Sequence, residues 1–143
     1  MAVWQERAEL LFKEEGLEKL KNSNVLIVGL GGVGSFAAEF IARAGVGKMT
    51  IVDGDTVDIT NINRQLPALH STVGQNKVDL VGDRLMEIMP ELQLTRINEF
   101  LSPERTHEIV TTDFDYVLDC IDSVTPKVNL IIEEQTTEDI IKK

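Results

Sequence analysis

NVLIVGLGGVGSFAAEFIARAGVGKMTIV, residues 24–52, decides the fold. Asn24-Val-Leu-Ile-Val28 is an unbroken apolar run ending at a glycine, the pattern of a central parallel strand buried on both faces. Val33, Phe36, Ala37, Phe40, Ile41 and Ala44 then recur at helical spacing. That stripe predicts the buried face of a helix, with Ser35, Glu39 and Arg43 off it. Gly45 and Gly47 end the helix, and Met49-Thr-Ile-Val52 reads as a second buried strand. A strand, a helix and a parallel strand joined this way take a right-handed crossover, so the expected class is α/β, a Rossmann-like doubly wound, mainly parallel sheet.

Working outward, Val78, Val81, Leu85, Ile88 and Met89 form another helical stripe closed by Pro90. Leu92 to Ile97 predicts a third strand and Tyr116 to Cys120 a fourth. Upstream, Leu10, Leu11, Leu17 and Leu20 predict one or two amphipathic N-terminal helices that either cap the sheet or meet a partner subunit. At the far end, Val128, Leu130, Ile131 and Ile132 give way to an acidic tail with no further strand. Residues 1–143 therefore read as a single domain, incomplete at its C-terminus.

The 143 residues are 43% hydrophobic and 27% charged, enough to bury a core and unlike a disordered tail. No apolar run is long enough to span a bilayer, and the N-terminus lacks a signal pattern, so the expected location is cytoplasmic. The lone Cys120 permits no internal disulfide and is too little for a structural zinc site. A net charge of -10 argues against an autonomous nucleic-acid binder, because phosphate contacts demand Lys and Arg. Any RNA surface must then be local, or be supplied elsewhere.

Gly29-Leu-Gly-Gly-Val-Gly34 lies between the first strand and its helix. Gly29, Gly31 and Gly32 leave backbone N–H groups open to phosphates, Gly34 allows close helix packing, and the helix N-terminus favours anions. Taken alone, this loop fits a ligand-free turn, a nicotinamide dinucleotide or ATP, and Asp53 suits a ribose in either nucleotide.

Asp53-Gly-Asp-Thr-Val-Asp-Ile-Thr-Asn-Ile-Asn-Arg-Gln65 favours a triphosphate. Arg64 can fork two hydrogen bonds to phosphate oxygens, Asn61 can orient a phosphate or ribose, and Lys77 supplies a point charge at the next helix. The plainer alternative pairs Arg64 with Asp55 or Asp58 and leaves Lys77 solvated. Asp122 either helps hold Mg2+ or caps a helix before Pro126. Cys120 reads as a small buried hydrophobe, and His70 and His107 lack metal-ligand companions.

The glycine loop, Asp53-Gly-Asp55 and Asn61-Ile-Asn-Arg-Gln65 resemble the signature of the ubiquitin-activating (E1)-like superfamily, over about Arg7 to Ile132. Within it, Thr60 to Gly74 and Asp119 to Lys127 are similar to the tRNA threonylcarbamoyladenosine dehydratase branch. The resemblance implies ATP as cofactor with Mg2+, the four glycines, Asp53, Asp55, Asn61, Arg64, Gln65 and Lys77 at the nucleotide, and Asp122 near the metal. It implies Arg64, Lys77, Asp122 and Arg7 as catalytic, with Arg7 reaching across a homodimer. The implied reaction adenylates a carboxylate of N6-threonylcarbamoyladenosine in tRNA, which then cyclises with loss of water. Alternatives are adenylation of a ubiquitin-like sulfur carrier ending in Gly-Gly, with a possible sulfur-transfer partner, and a non-catalytic fragment that only dimerises or binds nucleotide.

Overall fold

The computed structural model describes residues 2–110, 113–122, 128 and 130–133. Four strands, β1 (Asn24–Val28), β2 (Lys48–Val52), β3 (Gln93–Ile97) and β4 (Tyr116–Asp119), form one sheet in the order β3-β2-β1-β4. Every pairing is parallel, with Val28 beside Val52 and Asp119. The helices are α1 (Glu6–Lys21), α2 (Gly34–Ala44), α3 (Lys77–Ile88) and α4 (Pro103–Val110).

Alternation along β1 divides the core between two faces, as a period of two requires. Val25 and Ile27 join Met49, Ile51, Ala38, Ala42, Val78, Val81 and Leu85 on one side. Leu26 and Val28 join Val52, Ile109, Val110, Phe114 and Leu130 on the other. Thus α2 and α3 cover one face and α4 the opposite one. After β3 the chain returns across the sheet to place β4 on the far side of β1, which opens a crevice where the winding reverses.

The helix after the glycine loop forms as expected, but its rotation corrects the sequence reading. Val33, Phe36 and Phe40 are exposed, whereas Ser35, Ala38, Glu39 and Ala42 are buried. The cause is proximity: a Cβ on Gly34 would lie 1.7 Å from the Gly29 carbonyl oxygen, so α2 starts pressed against the strand end and admits only small side chains beneath it. The exception is Glu39, whose carboxylate is bound by Arg84 of α3 and Arg43 of its own helix. The Arg84 hydrogen bond leads in holding its pKa below the usual carboxylate range, against the opposing effect of burial.

The N-terminal segment is one helix broken at Lys13, where φ is 60° and ψ 173°. Leu17 is buried and Leu20 packs on the core, so this half caps the sheet, while Leu10 and Leu11 remain exposed. The α3 stripe is as expected: Val78, Val81, Leu85 and Met89 are buried, and Ile88 packs beside them. Val128 and Leu130 to Glu133 are helical, and the acidic tail lies outside the described residues. Among the described residues, no helix is long and apolar enough to cross a membrane.

Candidate functional site

The carboxyl edge of the sheet gathers the site because β1, β2, β3 and β4 all run toward it. Directly after β1 the chain must turn sharply, and Gly29 does so with φ at 96°. A side chain there is excluded twice over, since its Cβ would also lie 2.5 Å from the Cys120 carbonyl oxygen. The Gly29 N–H donates to the Val52 carbonyl at 2.8 Å, which ties the loop to the end of β2.

Asp53 follows β2 and braces this loop. Its Oδ2 accepts from the Leu30 N–H at 2.8 Å, and its Oδ1 accepts from the Asp55 N–H at 2.8 Å. A carboxylate has about four acceptor positions, so capacity remains for hydroxyl donors from a ligand. Next, the Lys77 N–H donates to the Asp55 carbonyl, and the Lys77 ammonium stands 3.4 Å from Asp55 Oδ2. Lys77 is only 4% exposed, so its charge faces inward rather than being solvated.

A cavity of about 170 Å³ lies between these segments. Gly29, Gly31, Asp53, Asp55, Gln65, Lys77 and Asp122 line it, together with Cys120. Gln65 is 6% exposed and its Oε1 is buried without a hydrogen-bond partner among the described residues. Its Nε2 and Asp122 Oδ2 approach the same point above Gly31, 3.5 and 3.6 Å from where a Cβ would sit. An open glycine, an unpartnered buried amide, a carboxylate and a buried ammonium thus converge. Such a set suits a polar ligand that carries hydroxyl or N–H donors for the acceptors and anionic oxygens for Lys77, because a buried acceptor left unbonded costs about 1–3 kcal/mol until a donor arrives.

Other expected residues stand outside this cavity. Arg64 is exposed, with its aliphatic stem over Gly32 and its guanidinium donating to the Thr60 carbonyl and Asn63 Oδ1. Among the described residues it does not pair with Asp55 or Asp58. Asn61 is buried and accepts from the Asp58 N–H, and Asp58 in turn accepts from Thr60, so this amide shapes the turn that presents Arg64. The Thr60 contacts hold the Asp58 carboxyl below its ordinary range. Gly32 and Gly34 shape the loop without lining the cavity. Arg7 lies elsewhere, in a depression with Trp4, Arg43 and Arg84. For Asp122, the helix-capping alternative falls on residues 123–127, which lie outside the described residues. Among the described residues no three acidic, imidazole or thiol groups form a metal cluster.

Sequence reasoning missed the third wall. Glu99, Phe100 and Leu101, just beyond β3, line the cavity, and Gly54 admits them because a Cβ there would lie 2.5 Å from the Phe100 nitrogen. Their position after a strand at the carboxyl edge was the available signal. Phe100 itself is 77% exposed at the mouth.

The chain is similar to known proteins in sequence and in fold. A tRNA threonylcarbamoyladenosine dehydratase of Bacillus subtilis (strain 168) is 50% identical over 127 residues, covering 89% of this chain and 50% of that protein. A molybdopterin-synthase adenylyltransferase of Escherichia coli (strain K12) is 43% identical over 113 residues, covering 79% and 45%. The crystal structure of the E. coli tRNA N6-threonylcarbamoyladenosine dehydratase in complex with ATP superimposes with a TM-score of 0.91 at 36% identity, covering 96% of this chain and 58% of that one. The chain spans about half the length of the curated relatives it matches. The sheet order and helix arrangement are those of the Rossmann-type E1 fold. With the family model matching residues 5–136, the chain belongs to the ThiF family.

Proposed function

We propose that this chain forms the nucleotide-binding half of an ATP-dependent adenylyltransferase acting on a carboxylate, that of N6-threonylcarbamoyladenosine in tRNA. The observation that carries the reading is the convergence of the buried Lys77 ammonium, Asp53 and the unpartnered Gln65 amide on one cavity beside the glycine loop. In this reading Asp53 receives the ribose hydroxyls, and the loop N–H groups at the start of α2 receive phosphate oxygens. The cavity is smaller than the roughly 300–1,000 Å³ of ordinary ligand pockets. It therefore seats part of the nucleotide, with the remainder at the mouth beside Arg64 and Phe100.

The substrate carboxylate attacks the α-phosphate, a new C–O–P linkage forms, and pyrophosphate leaves. Lys77 and Arg64 offset charge on the departing oxygens, Arg64 by swinging from Thr60 and Asn63. Asp122 would supply an oxygen ligand for Mg2+, which would offset phosphate charge. A second copy would contribute Arg7. The adenylate makes AMP the leaving group, so the ureido nitrogen attached to the adenine attacks the activated carbonyl carbon, loses its proton and closes a five-membered ring as the C–O bond to AMP breaks. Positioning and electrostatics suffice for these steps, and Cys120 has no part in them.

The dehydratase relatives at 50% and 39% identity support this substrate over others. Incubation with ATP, Mg2+ and tRNA bearing the modified adenosine, followed by nucleoside mass spectrometry, tests it. AMP and the cyclic nucleoside are expected, and an unchanged nucleoside profile would refute it. Likeness to molybdopterin-synthase adenylyltransferases favours a second reading, adenylation of a carrier protein ending in Gly-Gly. Pyrophosphate exchange that depends on such a carrier would favour that reading.

A further inference from the structure

Half of the chain's six arginines line one depression that shares no residue with the nucleotide cavity. Arg7, Arg43 and Arg84 border it with Trp4, Ala8, Glu87 and Ile88. In a chain of net charge -10 three arginines around one depression are a local concentration of positive charge; Arg96 pairs with Asp83, and Arg105 with Glu99 and Glu108. Arg43 and Arg84 both bind the buried Glu39, and each does so through Nε. One buried carboxylate therefore holds two guanidiniums in place, and both arginine side chains are half-exposed. Fixing a guanidinium in advance lowers the ordering cost of a later bidentate contact. Trp4, 42% exposed, offers a flat aromatic surface beside them.

We propose that this depression seats the phosphodiester backbone of the RNA substrate, with Arg43 and Arg84 on phosphates and Trp4 against a base or sugar. The inference rests on tRNA as substrate and adds the surface that holds it. Arginine forks match phosphate geometry, and an aromatic neighbour is the usual companion of unpaired nucleotides. The placement fits too: Arg43 lies at the end of the 11-residue α2, on the order of 15 Å along the helix from the glycine loop at its start. An RNA strand reaching the cavity can lie over both.

The test is titration of the whole chain with an unmodified tRNA transcript at several salt concentrations, for wild type, Arg43→Gln, Arg43→Lys and Trp4→Ala. Thermal unfolding reports folding, and ATP titration reports the separate cavity. Arg43→Gln is expected to weaken tRNA binding several-fold and to flatten the log–log salt dependence by about 0.7–0.9 per phosphate lost. Arg43→Lys should keep the salt slope with intermediate affinity, and ATP affinity should stay unchanged in all. Identical tRNA affinity and slope in wild type and in a folded Arg43→Gln or Trp4→Ala would overturn the proposal, as would no tRNA binding by the wild type. Loss of binding to a Gly-Gly carrier instead of tRNA would also overturn it, assigning the patch to a protein partner. Failure of the dehydratase reading shows separately, as an unchanged nucleoside whatever Arg43 does to RNA affinity.

Discussion

Asp53 holds the backbone N–H of Leu30 at 2.8 Å across 23 residues of chain, so a side chain at the end of one strand fixes the loop after its neighbour. Asp53→Ala releases that N–H and the Asp55 N–H together. Hydrogen bonds to a charged acceptor contribute about 1.5–3 kcal/mol each, so a loss of a few kcal/mol is expected in urea unfolding, with ATP binding weakened at least about tenfold. Unaltered stability would show that the loop holds itself.

Lys77 gives the opposite pattern. Asp55 is its ion-pair partner and is itself half-exposed, so Lys77→Met leaves no charge buried alone. Stability should change by less than about 1 kcal/mol. Adenylate formation should fall by about a hundredfold or more, because the cation that meets the leaving phosphates is gone. Pyrophosphate-exchange kinetics beside a denaturant curve separates the two effects.

Gly34→Ala is expected to be severe. A methyl group 1.7 Å from the Gly29 carbonyl oxygen cannot be accommodated unless α2 moves off the sheet. Strain and lost packing of this kind destabilise by about 3 kcal/mol or more, readable as a large fall in Tm. A variant with the wild-type Tm would mean that the helix start is further from the strand than described.

Much of this was legible in advance. Asn24-Val-Leu-Ile-Val28 and Met49-Thr-Ile-Val52 announce buried parallel strands because nothing polar interrupts them, and Gly29 with Gly34 marks the turn between strand and helix. The rotation of α2 was not legible. Phe36 and Phe40 outweigh Ala38 and Ala42 in any hydrophobic pattern, yet the close approach at Gly34 reserves the inner face for small side chains. Glu39 was missed for a related reason: its partner Arg84 lies 45 residues away, and only folding shows that the charge is answered. The helix α4 also escaped notice, since Pro-Glu-Arg-Thr-His-Glu carries little apolar periodicity before Ile109 and Val110. At the site, Asp53, Gln65, Lys77 and Asp122 line one cavity, whereas Asn61 hydrogen-bonds within its own turn, a contact that residue type alone does not reveal.

The Glu39 contacts also predict an acid response. Its folded pKa lies below the ordinary value of 4.5, through the Arg84 hydrogen bond, the Arg84 charge and Arg43. Its contribution is therefore complete above about 4.5 and disappears as pH falls through the lower folded value. Glu39→Gln should be less stable than wild type at pH 7 and should lose less on acidification below about 4.5. Parallel urea curves at pH 7 and in that acid range check this; equal losses in the two proteins would exclude Glu39 as the source.

The reversal of winding between β1 and β4 means that the cavity is walled by two arms of the fold built from distant stretches of chain, joined along the seam where the Cys120 N–H meets the Val28 carbonyl at 2.9 Å. Whatever occupies the crevice grips both arms, so an occupant acts as a clasp on that seam. Amide exchange at its backbone should slow with the crevice filled, even for protons that the occupant never touches.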